Sequence, residues 1–196
     1  TESGSLYSLQ ELENIAAVCR KYNMYLYLDG ARLAYALACP SNDVTLPDLA
    51  RLCDAFYIGG TKLGALCGEA LVFPRKSPKQ FITKVKQHGA MLAKGRLIGI
   101  QFDTLFTDDL YFKIAKHADN LADQIRETLE TLGYKLYVPG TTNQIFPILP
   151  NTLLEKLRKS FTFSEQARVD DEHRAVRFCT SWATKKEDID YLLSLL

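Results

Sequence analysis

Met24-Tyr25-Leu26-Tyr27-Leu28-Asp29-Gly30-Ala31-Arg32 is an apolar, β-prone run that stops on an acid and a glycine. Ala55-Phe56-Tyr57-Ile58-Gly59-Gly60-Thr61-Lys62-Leu63-Gly64 repeats the arrangement with a lysine set among glycines. Each reads as a strand that delivers a polar loop from its carboxyl end, the edge at which α/β sheets gather ligands. Outward from these runs the pattern alternates. Ser8 to Tyr22 carries Leu9, Leu12, Ile15, Ala16 and Cys19 at helical spacing, with Ser8 and Glu11 spaced as a capping box. A short helix is predicted from Ala31 to Ala38, and a second from Leu46 to Leu52, opened by Thr45 and Pro47. Ala70-Leu71-Val72-Phe73 brings the chain back as a strand. The expected class is α/β, with the strands before Asp29 and Lys62 in one mostly parallel sheet.

The two loops carry complementary chemistry. A lysine amine can hold pyridoxal phosphate (PLP) as a Schiff base, and the cofactor's ring works as an electron sink while a carboxylate keeps its pyridine nitrogen protonated. Lys62 and Asp29 are the candidates for these roles. Taken singly, Asp29-Gly30 also reads as an ordinary turn and Lys62 as a solvated loop residue; the pair is what points to a shared pocket. Arg32, three residues after Asp29, starts a helix beside it, where a guanidinium could hold a substrate carboxylate or form a surface ion pair.

From about Pro74 the character changes. Lys76 to Arg96 is basic and broken by Pro78, Gly89 and Gly95, as a linking helix would be. Thr107 to Leu132 places Leu110, Ile114, Leu121, Ile125, Leu129 and Leu132 on one face and stops before Gly133, which predicts a long amphipathic helix. Strands are predicted at Lys135 to Val138, Gln144 to Leu149 and Ala175 to Trp182. Helices are predicted at Leu153 to Lys159 and at the C-terminus, the last with Thr184 and Glu187 as a capping box. Alternation around Arg177 sets it opposite Val176 and Phe178.

The composition is that of a soluble globular protein. The 196 residues are 47% hydrophobic and 24% charged, with a net charge of +1, which disfavours nucleic acid or a membrane surface as partner. No apolar run is long enough for a bilayer span. Cys19, Cys39, Cys53, Cys67 and Cys179 form no CxxC pair and suit thiols in a reducing, cytoplasmic compartment. His88, His117 and His173 stand apart, without metal-ligand spacing.

Thr1-Glu2-Ser3-Gly4-Ser5-Leu6-Tyr7, Leu28-Asp29-Gly30-Ala31-Arg32-Leu33, Gly60-Thr61-Lys62-Leu63-Gly64 and Val176-Arg177-Phe178-Cys179-Thr180 resemble, in order, the low-specificity L-threonine aldolase and β-eliminating lyase family of PLP enzymes. The resemblance implies the type I PLP-dependent fold of aspartate aminotransferase, with residues 1–88 as the C-terminal half of the large domain, 89–106 as the linking helix region and 107–196 as the small α+β domain. It also implies that an N-terminal part, holding the phosphate-binding loop, the ring-stacking aromatic residue and often the β-hydroxyl base, is missing. Lys62, Asp29, Arg32 and Thr61 would then contact the cofactor, and Arg177 would fork the α-carboxylate of a small-molecule amino-acid substrate. The implied reaction is cleavage of L-threonine or L-allo-threonine to glycine and an aldehyde by a homodimer or homotetramer. β-Elimination or transamination is a second enzyme reading, and a catalytically inert fragment or oligomerisation module is a third. One departure concerns Met91-Leu92-Ala93-Lys94-Gly95-Arg96, where the family commonly has Met-Arg-Gln; Lys94 or Arg96 would supply the positive charge from a shifted position.

Overall fold

A computed structural model describes residues 2–196; Thr1, first of the stretches that carry the resemblance, lies outside the described residues. By contact the described residues divide into two compact units, one of residues 7–33 and 43–111, the other of 2–6, 34–42 and 112–196. Segments 2–6 and 34–42 thus join the C-terminal unit, a grouping that division by position along the chain does not draw.

The N-terminal unit is built on helix α1 (Leu9–Lys21), strand β1 (Tyr27–Leu28), helix α3 (Leu46–Leu52), strand β2 (Ala55–Gly59) and strand β3 (Glu69–Val72), followed by helices α4 (Phe81–Gln87) and α5 (Arg96–Phe106). The expected capping box of Ser8 with Glu11 forms on α1, and Thr45, expected to open α3 with Pro47, makes a further box with Asp48 there. Leu12 and Ala16 of α1, Leu49 and Leu52 of α3, and Phe56 and Ile58 of β2 are all buried.

β1 and β2 run parallel, with Leu28 opposite Phe56, whereas β2 and β3 run antiparallel, with Tyr57 opposite Leu71. The sheet is therefore mixed. The link from β2 to β3 is too short for the crossover that a parallel neighbour requires. β1 is shorter than its apolar run because the Leu26 N–H goes to the Asp54 carboxylate (2.9 Å), while the Leu26 carbonyl accepts the Asp54 N–H (2.8 Å).

The C-terminal unit has most of α2 (Leu33–Ala38) and α6 (Leu110–Thr131), with β4 (Leu136–Val138), β5 (Gln144–Pro150), α7 (Asn151–Leu157), β6 (Ser164–Arg168), β7 (His173–Cys179) and α8 (Lys186–Leu195). Its sheet order is β4-β5-β7-β6, antiparallel throughout. Helices α6, α7 and α8 bury Ile125, Leu129, Leu154, Leu157, Ile189 and Leu192 with Ile145, Leu149 and Val176 of the strands. Each fully buried leucine contributes about 2 kcal/mol.

The long helix starts at Leu110, after a tight turn over Thr107–Asp109 in which Asp108 and Asp109 have positive φ. Its exit follows expectation: Gly133 has φ +80° and the Tyr134 N–H reaches back to the Leu129 carbonyl. The capping box expected at Thr184 and Glu187 does not form. α8 begins at Lys186 behind Lys185, and the Thr184 hydroxyl instead accepts the Ser181 N–H at 2.9 Å. Residues 2–6 lie along the start of β5, the Gly4 carbonyl accepting the Thr141 N–H and the Glu2 carbonyl the Gln144 side chain. A Cβ on Gly4, whose φ is +78°, would stand 2.7 Å from the Gln144 carbonyl oxygen.

Candidate active site

The two loops quoted from the sequence meet backbone to backbone at the carboxyl ends of β1 and β2. The Gly59 N–H donates to the Gly30 carbonyl at 3.0 Å. A Cβ on Gly30 would lie 1.7 Å from the Tyr57 carbonyl oxygen, and one on Gly59 would lie 2.5 Å from that of Ala31. Only glycine allows this approach, and the approach brings the Asp29 and Lys62 loops side by side.

Asp29 follows β1, so its carboxylate stands on the same sheet face as Tyr27 and, across the parallel register, Tyr57. Its Oδ1 accepts the Tyr57 hydroxyl at 2.5 Å and the Ala31 N–H at 3.1 Å. The Tyr57 bond foremost, then the Ala31 bond, and last the nearby charges of Lys62 and Arg32 hold the carboxyl below its usual range, outweighing a partial desolvation. Asp29 is therefore ionised at neutral pH.

Lys62 is exposed in a single helical turn, Thr61–Leu63, closed by Gly64 at φ +96°. Leu63 is buried and anchors the turn. Glu69, at the start of β3, braces it from the other side, its Oε2 accepting the Gly60 N–H (2.7 Å) and its Oε1 the Thr61 hydroxyl (3.1 Å). The hydroxyl of Thr61 is thus committed to Glu69. Arg32 is half-buried just before α2 and adds positive charge beside Asp29.

Arg177 lies in the other unit. As the alternation predicts, Val176 and Phe178 are buried while Arg177 turns to the opposite face of β7. Its Nη1 donates to Gln144 Oε1 (3.4 Å), its Nη2 to Ser164 Oγ (3.3 Å), and Glu2 Oε1 stands 3.8 Å away. Arg174, three residues earlier on β7, faces Glu165 at 3.8 Å. A cavity of about 690 Å³ opens beside Arg177, with Phe161, Phe163, Phe178, Thr180 and Ser181 in its walls. Asp29, Arg32, Thr61 and Lys62 are grouped in the N-terminal unit, and Arg177 belongs to the C-terminal one.

Two residues of the site escape a reading of sequence. Tyr57 looks like core in an apolar run, and Glu69 looks like a solvated acid after a turn; only cross-strand pairing gives them their partners. The acid that immediately follows Gly68 was the one available sign of the second.

Residues 1–151 match the model of the family described as beta-eliminating lyase. A low specificity L-threonine aldolase of Pseudomonas sp. (strain NCIMB 10558) is 30% identical over 195 residues, covering 95% of this chain and 54% of the relative. The structure of a Leishmania major threonine aldolase superposes with a TM-score of 0.95 at 43% identity, over 100% of this chain and 57% of that one. Rhodiola rosea 4-hydroxyphenylacetaldehyde synthase (TM-score 0.69, 16% identity, 94% and 44% coverage) shares the fold. The chain spans about half the length of the curated relatives it matches.

Proposed function

The chain belongs to the β-eliminating lyase family, and from that premise we propose that the whole protein is a PLP-dependent aldehyde-lyase, cleaving L-threonine or L-allo-threonine to glycine and an aldehyde. The observation that carries the reading is the joining of the Asp29 and Lys62 loops at the ends of adjacent parallel strands, in a chain similar to threonine aldolases over nearly its whole length. The donor set fits the cofactor. An ionised carboxylate, a lysine amine in an exposed turn and an arginine lie in one unit, the groups needed to hold a pyridine nitrogen, a carbonyl carbon and an anionic oxygen.

Bound PLP would supply an electron sink for the charge left at Cα when the Cα–Cβ bond breaks. The chain's own residues would do the rest. Lys62 would carry the cofactor covalently through its ε-amine. Asp29, kept ionised by Tyr57 and Ala31, would hold a proton at the pyridine nitrogen, with Arg32 and Thr61 beside the cofactor. Arg177 would take the substrate's α-carboxylate as a two-pronged donor; its present contacts, at 3.3–3.8 Å, are long enough for a carboxylate to replace. The proposal includes a homodimer or homotetramer in the cytoplasm. Five thiols without a disulfide support the compartment, and exposed apolar side chains such as Tyr25 and Leu66 suit burial against further protein surface.

The test is to add PLP, follow the yellow absorption, reduce with borohydride and map the labelled lysine by mass spectrometry. Label on Lys62, with glycine and aldehyde released from threonine, is the expected result. No labelled lysine in either this chain or a longer form overturns the cofactor assignment. Ammonia and a keto acid in place of glycine and aldehyde replace the aldolase reading with β-elimination or transamination. Failure of this chain to take up PLP, while a longer form does, marks it as an inert module by itself.

A further inference from the structure

We propose that Tyr57 is the positioning residue of Asp29: its hydroxyl locks one carboxylate oxygen so that the other stands ready for the cofactor's pyridine nitrogen. The inference rests on the PLP reading above and adds to it a residue that the motif leaves out.

The geometry is specific. Asp29 has two donors, the Tyr57 hydroxyl at 2.5 Å and the Ala31 N–H at 3.1 Å, and both fall on Oδ1. Oδ2 has no hydrogen-bond partner among the described residues. A carboxylate with one bond would still swing about its Cβ–Cγ axis; two bonds to the same oxygen, one from Tyr57 on β2 and one from the turn after β1, fix the plane and leave the second oxygen's lone pairs available.

Tyr57 is itself held. Its backbone carbonyl is pressed against Gly30, its residue pairs with Leu71 of β3, and its ring lies 6.4 Å from that of Tyr27. The phenol therefore cannot withdraw without disturbing three strands. Its acidity supports the donor role: burial first, then the bond to Asp29, push its pKa up to about 12, so the hydroxyl keeps its proton throughout the working range. The charged or titratable groups around the pair are Tyr27, Lys62, Arg32 and Glu69. The two cations stabilise ionised Asp29 alongside the phenol.

The phenol also sets how basic Asp29 is. A donor removed from a carboxylate raises its affinity for protons, so Tyr57→Phe both frees the rotamer and raises the Asp29 pKa. Three consequences separate positioning from a merely structural role. Carboxyl ¹³C NMR of the apo-protein shows the Asp29 titration moved up by about one pH unit in Tyr57→Phe. The variant binds PLP about tenfold more weakly, but it binds the analogue with carbon in place of the pyridine nitrogen as the unsubstituted protein does. In an Asp29→Asn background, Tyr57→Phe changes neither affinity further.

Equal Asp29 titrations, or equal losses for PLP and its carbon analogue, overturn the proposal while leaving Lys62 labelling intact. If Lys62 takes no label in the unsubstituted chain or in a longer form, the cofactor reading falls, and this one with it. Tyr57→Leu is the second variant: it removes the same hydroxyl and the ring with it, and a return of the NMR shift and the PLP-specific loss there assigns both to the hydroxyl.

Discussion

On the reading proposed above, Lys62→Ala in the whole protein is expected to abolish borohydride-trapped cofactor and to lower aldehyde release from threonine by about a thousandfold or more. Stability stays nearly unchanged. The side chain of Lys62 is exposed, and its turn is held by other means: the Gly60 N–H on Glu69, the Leu63 N–H on the Gly60 carbonyl at 2.9 Å, and the buried Leu63 side chain. A loss of activity without a loss of melting temperature is therefore the signature of the covalent site. Activity within tenfold of the unsubstituted protein would remove Lys62 from the chemistry and with it the reading of the whole glycine loop. Added primary amines, which can replace the missing ε-amine, are expected to restore part of the rate.

The second large effect lies in the C-terminal unit and concerns folding. Asp119 on α6 is 2% exposed, and its oxygens make no well-formed hydrogen bond among the described residues, the Asn143 N–H approaching only weakly. Burial foremost, and then Asp123, push its pKa up to about 8, against smaller opposing effects of Arg126 and the Asn143 N–H. The folded protein therefore holds a proton at pH 7 that the unfolded chain, with an ordinary carboxyl near 3.8, has released. The stability this group contributes is complete below about pH 4 and declines as pH rises to about 8, by about 1.4 kcal/mol per pH unit.

Asp119→Asn keeps the shape and removes the charge. Between pH 5 and pH 8 the unsubstituted protein is expected to lose about 4 kcal/mol that the variant retains. Urea midpoints measured at several pH values decide the matter; curves that stay parallel for the two proteins would show Asp119 ionised at neutral pH in the folded state.

Local signals in the sequence were legible where a single helix end or strand face decides the outcome. Ser8 with Glu11, and Gly133 after the long helix, depend on residues within one turn. The opposition of Arg177 to Val176 and Phe178 depends on strand pleat alone. Thr184 and Glu187 had the same spacing as a working cap, but a competing donor three residues upstream, the Ser181 N–H, took the hydroxyl. Strand β6 was not foreseen because Ser-Glu-Gln-Ala-Arg has no apolar alternation; it is an edge strand that pairs only with β7 and keeps most of its side chains in solvent. Motif residues of the site, Asp29 and Lys62, stood out by type and position. Tyr57 and Glu69 did not, since their roles come from partners 28 and 9 residues away that only the sheet register brings near.

The contact between Gly30 and Gly59 carries a consequence for how such a protein can vary. Any missense change at a glycine codon installs a Cβ, whichever amino acid results, and at both positions that atom meets main-chain oxygen rather than a side chain able to move aside. The two sites are thus closed to gradual evolutionary exploration. Variation that the fold tolerates here is expected in the side chains around the joined loops and not at the two glycines of the joint.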